Sequence, residues 1–103
     1  MQLDEIRKEI DTVDDEMRTL FIRRMELSRQ VALVKARTGD AVRKPDREKA
    51  MIARLCEGMD PQLLDVYRSF LEHILFLSRS FQEQLLRQGE AGPCAQNPES
   101  KEA

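Results

Sequence analysis

From Leu3 the apolar residues advance in threes and fours: Leu3, Ile6, Ile10, Val13, Met17, Leu20, then Leu27, Val31 and Val34. That spacing is one face of an α-helix, and it predicts a single helix from about Leu3 to Thr38. At 1.5 Å per residue such a helix is roughly 54 Å long, far longer than a domain of this size is wide. Gly39 is a natural stop, and Lys35 and Arg37 suit the negative end of the helix dipole. The rest of the chain offers two shorter helices to cover this rod. One begins near Pro45 and ends by Gly58, and one runs from Pro61 to about Gln88. Between the first two helices, "GDAVRKP" reads as a loop. Part of the long stripe would stay exposed if the chain folded on itself, and large exposed apolar patches mark interfaces. The expected architecture is therefore all-α: one long, one short and one medium helix, paired with a second copy in an intertwined homodimer.

Composition agrees and excludes several classes. Charged residues make up 35% of the 103 and aromatic residues 5%, with four Gly and four Pro, a helical composition. The net charge of -2 leaves no footprint for nucleic acid. No apolar run approaches the ~20 residues that span a bilayer, so no membrane partner is expected. The opening "MQLDEIRKEI" is charged and periodic, unlike a signal peptide. Cys56 and Cys94 are far apart and form no C-x-x-C pair, which fits reduced thiols and a cytoplasmic location. Residues 1–88 form the expected domain. "GEAGPCAQNPESKEA", residues 89–103, has almost no apolar content and reads as a disordered tail.

The informative residues are polar groups on apolar faces. Between Leu20 and Leu27 the stripe meets Arg23 and Arg24, and Lys35 falls three turns after Arg24, on nearly the same side. On the third helix, Leu63, Tyr67, Phe70, Ile74, Leu77 and Phe81 form the main apolar stripe. A second face of that helix, Leu71, Leu75, Ser78, Gln82 and Leu85, is interrupted by a hydroxyl and an amide. On the short helix Glu48 lines up with Ile52 and Leu55. Each has a plain explanation: a snorkelling arginine, a helix-end lysine, a serine bonded to the carbonyl one turn back, a first-turn glutamate. Together they either pair with one another, Glu48 with Arg24 or Lys35 for example, or they line a pocket for a small anion. No nucleophile is paired with a base, no metal-ligand cluster or phosphate loop is present, and His73 has no evident acid partner. Catalysis in such a pocket would be electrostatic, by preorganised donors around a reacting anion.

Three stretches carry a resemblance: "LDEIRKEIDTVDDEMRTLFIRRMELSRQVALVKA", "VRKPDREKAMIARL" and "ILFLSRSFQEQLL". In that order they resemble the all-helical (type II) class of chorismate mutase over about residues 3 to 86. The resemblance implies a cofactor-independent, metal-independent isomerase that rearranges chorismate to prephenate on the route to phenylalanine and tyrosine. It implies a monofunctional, domain-swapped-looking dimer whose two sites are each completed by Arg7 of the partner chain. Arg7 and Arg24 lie about 25 Å apart along one helix, so one chain cannot bring both to one small molecule. By motif position, Arg24 and the partner's Arg7 would hold the two carboxylates. Lys35 and Gln82 would donate to the ether oxygen, with Lys35 also near a carboxylate. Glu48 would accept from the ring hydroxyl, Arg47 would support the site, and Ser78 would assist a carboxylate. Lys44 stands where the family often has an acidic residue that contributes its backbone amide. Two alternatives remain: an isochorismate-pyruvate lyase of the same fold, and a non-catalytic helical dimerisation module.

Overall fold

The computed structural model describes residues 1–91, which form three helices: α1 (Leu3–Thr38), α2 (Pro45–Cys56) and α3 (Pro61–Ala91). The all-α architecture read from the sequence is the one observed, and α1 has the expected limits. The third helix runs three residues beyond the expected Gln88. The proposed tail from residue 92 on, including Cys94, lies outside the described residues. No helix among the described residues is long and apolar enough to cross a membrane.

Local chemistry sets the helix ends. The backbone N–H of Gln2 donates to Glu5 Oε1 at 2.7 Å, closing the first turn of α1. Gly39 adopts a left-handed φ of 78°, and its N–H reaches the Lys35 carbonyl at 2.8 Å. A side chain at Gly39 would strain that turn, so the stop is written into the sequence. Pro45 opens α2. Asp60 caps α3: its carboxylate accepts from the Gln62 N–H at 2.9 Å.

Packing is thin. α3 lies against both other helices, whereas α1 and α2 do not pack on each other. The chain measures 54 × 34 × 15 Å, a slab about three helix diameters wide and little more than one deep. Its radius of gyration is 17.8 Å, against about 13 Å for a compact chain near 100 residues. Among the described residues, the buried apolar ones are Ala32, Leu71 and Leu75, and the buried polar ones are Ser28, Ser78 and Gln82. Six residues, half of them polar, do not make a hydrophobic core for a chain this long. The apolar stripe of α1 is instead open along its length: Leu3 is 58% exposed, Met17 48% and Leu20 60%. The main apolar stripe of α3 is partly open: Leu63, Phe70 and Leu77 are exposed, and Tyr67, Ile74 and Phe81 are half-buried.

Candidate active site

The missing contact between α1 and α2 creates the site. α2 leans on α3 alone, so a cleft opens between α1 and α2 with α3 as its floor. The cleft has a volume of 320 Å³, at the small end of the range for ligand pockets. From α1 it receives Arg24, Leu27, Ser28, Val31 and Lys35. Val42 and Lys44 come from the loop, and Arg47, Glu48 and Met51 from α2. Leu75, Ser78, Arg79 and Gln82 come from α3.

Every residue given a part in a site by the sequence meets here except Arg7. Arg24, Lys35, Lys44, Arg47, Glu48, Ser78 and Gln82 all line the one cleft. Arg7 sits in the second turn of α1, about 25 Å along the helix from Arg24, and lines no part of it. Helical spacing explains the convergence: the step of eleven positions from Arg24 to Lys35 is close to three turns. Ser78 and Gln82 are one turn apart on the buried face of α3.

The charges are one-sided. Arg24, Lys35, Lys44, Arg47 and Arg79 face a single carboxylate, Glu48. A protein of net charge -2 thus holds a strongly positive cavity, suited to an anion carrying more than one negative charge. The Lys35 ammonium is pushed below the ordinary lysine value. Burial is the main cause, the Lys44 charge comes next, and Arg47 adds to it. Asp40 and Glu48 pull the other way. Lys35 Nζ donates to the Val42 carbonyl at 2.8 Å. One of its three hydrogens therefore pins the loop, and two remain for a ligand.

Two pairings differ from those the sequence suggested. Ser78 does not bond the carbonyl one turn back; its Oγ lies 2.6 Å from Ser28 Oγ across the α1–α3 contact. Glu48 pairs neither with Arg24 nor with Lys35. It accepts from Arg79 Nη1 at 2.7 Å. α2 packs on α3, which brings Glu48 to Arg79 and keeps it across the cleft from α1. Arg79 was not singled out in the sequence, because it adjoins Ser78 on a face where an arginine reads as solvated surface. The signal available was an unassigned cation three residues before Gln82, one turn along the helix.

Gln82 is 7% exposed, and its Oε1 has no hydrogen-bond partner among the described residues. A half-turn of the amide exchanges that acceptor for an NH₂ donor at the same point. His73, which had no evident acid partner, is exposed and stacks on Phe76 with ring centroids 6.1 Å apart, away from the cleft. Cys56 is a free thiol.

Comparison with known proteins gives this arrangement its context. The model of the family described as chorismate mutase type II matches residues 6–83, which include the whole cleft. The chain belongs to this family. It is accordingly an isomerase that converts chorismate to prephenate. It is 30% identical to a chorismate mutase from Methanocaldococcus jannaschii, over 81% of this chain and 90% of the relative. It is 41% identical to the T-protein of Haemophilus influenzae, over 67% of this chain and 20% of that protein. It is 28% identical to a bifunctional chorismate mutase/prephenate dehydratase from Aquifex aeolicus, over 76% of this chain and 24% of that protein. The chain thus spans most of the first relative and a quarter or less of the other two. No solved structure matches it.

Proposed function

We propose that the cleft between α1 and α2 is where chorismate rearranges, and that each working site is shared by two chains of a homodimer. The observation that carries the assignment is the set of five cations around one carboxylate, with Gln82 buried at the floor. Chorismate is a dianion. Its rearrangement needs neither a covalent catalyst nor a cofactor, only a compact conformer and stabilisation of charge as the ether bond breaks.

Each side chain has a part in that scheme. Arg24 holds one carboxylate by charge-assisted hydrogen bonds, two in parallel where the geometry permits. Arg7 from the other chain holds the second carboxylate, since 25 Å of helix bars Arg7 from its own cleft. Lys35 and the Gln82 amide NH₂ donate to the ether oxygen, where negative charge grows as the bond lengthens. Donors aimed at developing charge favour the transition state over the ground state. Lys35 also lies near a carboxylate. Glu48 accepts from the ring hydroxyl, Ser78 assists a carboxylate, and Arg47 supports the site from close by. Lys44 contributes through its backbone amide. The unpaired Gln82 oxygen supports the same reading, because a buried polar atom without a partner suits a place where a ligand completes the network.

The dimer rests on the slab geometry. A 54 Å helix with its apolar stripe open is stable only when a second surface covers it. An antiparallel copy does so and carries its Arg7 toward this chain's Arg24. Residues 1–88 are the working domain in this reading, so cutting the chain after Gln88 leaves activity intact. In this reading the enzyme is cytoplasmic.

The test is loss of chorismate absorbance with purified protein, followed by acid conversion of the product to phenylpyruvate. Prephenate formation supports the assignment. Inertness toward chorismate, with pyruvate released from isochorismate, would replace it with a lyase of the same fold.

A further inference from the structure

One cation of the cleft, Arg79, is given no contact of its own in the scheme above. Glu48 on α2 and Arg79 on α3 form an ion pair with side chains 17% and 22% exposed. Among the described residues it is the one ion pair that joins two helices. The other two, Glu26–Arg29 and Asp65–Arg68, are exposed pairs within a single helix. Behind the cleft lies a second cavity of 320 Å³, bordered by Arg43, Lys49 and Glu72. Glu48 and Arg79 line both cavities, so the pair forms part of the wall between them.

We propose that Arg79 is a positioning residue for the reaction, which holds Glu48 against the α3 side so that its second oxygen faces the ring hydroxyl of the substrate. The inference rests on the role given to Glu48 above. Arg79 occupies only Oε1 of the carboxylate, and no other donor among the described residues bonds Glu48. Oε2 is therefore left to accept. Without Arg79, the cations around Glu48 would be Lys35 and Arg47 in the cleft and Arg43 and Lys49 in the second cavity. An unpaired carboxylate in that setting moves to the nearest cation. Drawn into the cleft it would neutralise a group needed for the dianion, and drawn to either side it would turn its acceptor oxygen away from the hydroxyl. Arg79 thus does two things at once: it fixes the rotamer of Glu48, and it keeps the only carboxylate of the cleft off the cations that bind substrate.

The test is steady-state kinetics of the full-length chain with Arg79→Met, Arg79→Lys, Glu48→Gln and the double variant Arg79→Met/Glu48→Gln. Each is run on chorismate and on an analogue lacking the ring hydroxyl. The hydroxyl contact exists in both ground and transition states, so its loss appears mainly in KM. Arg79→Met should raise KM for chorismate about tenfold, the order of one charge-assisted hydrogen bond, with kcat within about threefold. On the analogue, Arg79→Met should lower kcat/KM by clearly less than on chorismate, because the change in cleft charge acts on both compounds and the hydroxyl contact is lost on chorismate alone. Arg79→Lys should recover most of the loss, because the contact uses a single nitrogen. The double variant should be no worse than Glu48→Gln alone.

If Glu48→Gln impairs chorismate turnover while Arg79→Met does not, the inference falls and the role of Glu48 stands. If Glu48→Gln leaves chorismate kinetics unchanged, both fall. Equal losses on substrate and analogue would make Arg79 a structural residue and also overturn the inference. Should Arg79→Met melt at the assay temperature, Arg79→Lys on the two compounds decides by the same criterion.

Discussion

Ser28 on α1 and Ser78 on α3 meet with their hydroxyl oxygens 2.6 Å apart, both side chains buried. Among the described residues this is the one side-chain hydrogen bond joining the two long helices, and it lies in the wall of the cleft. Deleting one hydroxyl strands the other in a buried site, which costs roughly 1–3 kcal/mol, whereas deleting both is close to neutral. Ser28→Ala is therefore expected to be less stable to urea than the double variant Ser28→Ala/Ser78→Ala. The reverse order in denaturation midpoints would mean that the pair carries no strain of desolvation.

Arg24→Ala and Lys35→Ala should each lower kcat/KM by about 10²- to 10³-fold, the usual cost of one preorganised donor. Both residues line an open cleft, so circular dichroism and the thermal midpoint should change little. Wild-type turnover in either variant would remove that residue from the site.

Sharing of the site between chains has its own signature. Arg7→Ala and Arg24→Ala proteins should each be nearly inactive alone. After mixing under conditions that exchange subunits, half of the dimers are hybrids, and one of the two sites in each hybrid has both arginines. About a quarter of wild-type activity should return. No recovery, with exchange verified by mass-tagged chains, would place both arginines in sites built from one chain.

The pH profile follows from Lys35. Its ammonium sits below the ordinary lysine value through burial first and the Lys44 charge second. In the free enzyme kcat/KM should thus begin to fall on the alkaline side at a lower pH than an ordinary lysine would dictate, because the neutral amine no longer offsets the dianion. Gln82 is uncharged and needs no proton to donate, so no sharp acid optimum is expected. Lys44→Ala removes one cause of the depression while keeping the backbone amide, and should move the alkaline limb upward. An unmoved limb would separate Lys35 from that titration.

The open apolar stripe predicts concentration-dependent stability. The thermal midpoint should rise with protein concentration, as for any chain whose fold is completed by a second copy. Met17→Glu, which puts a charge on the 48%-exposed stripe residue, should lower the midpoint and dissociate the dimer in sedimentation experiments. A monomer that is fully folded and active would contradict the shared site.

The sequence alone determined the three helices, their caps and most of the cleft. Periodicity limits α1, Gly39 and Pro45 end and restart the chain, and the polar breaks at Arg24, Lys35, Glu48, Ser78 and Gln82 mark residues that meet around one cavity. These are local properties: a helix repeats every 3.6 residues, so spacing fixes which side chains share a face. Which face turns inward is not local. The main apolar stripe of α3 is only half covered, and the face interrupted by Ser78 and Gln82 is the most buried one, because the chain's own contacts are made around the cleft. Pairings were likewise beyond reach of spacing. Only the docking of α2 on α3 rather than α1 opens the cleft, sets Arg79 against Glu48, and joins Ser78 to Ser28. Contacts between helices depend on how rigid rods stack, and one rod's sequence does not state which neighbour it will meet.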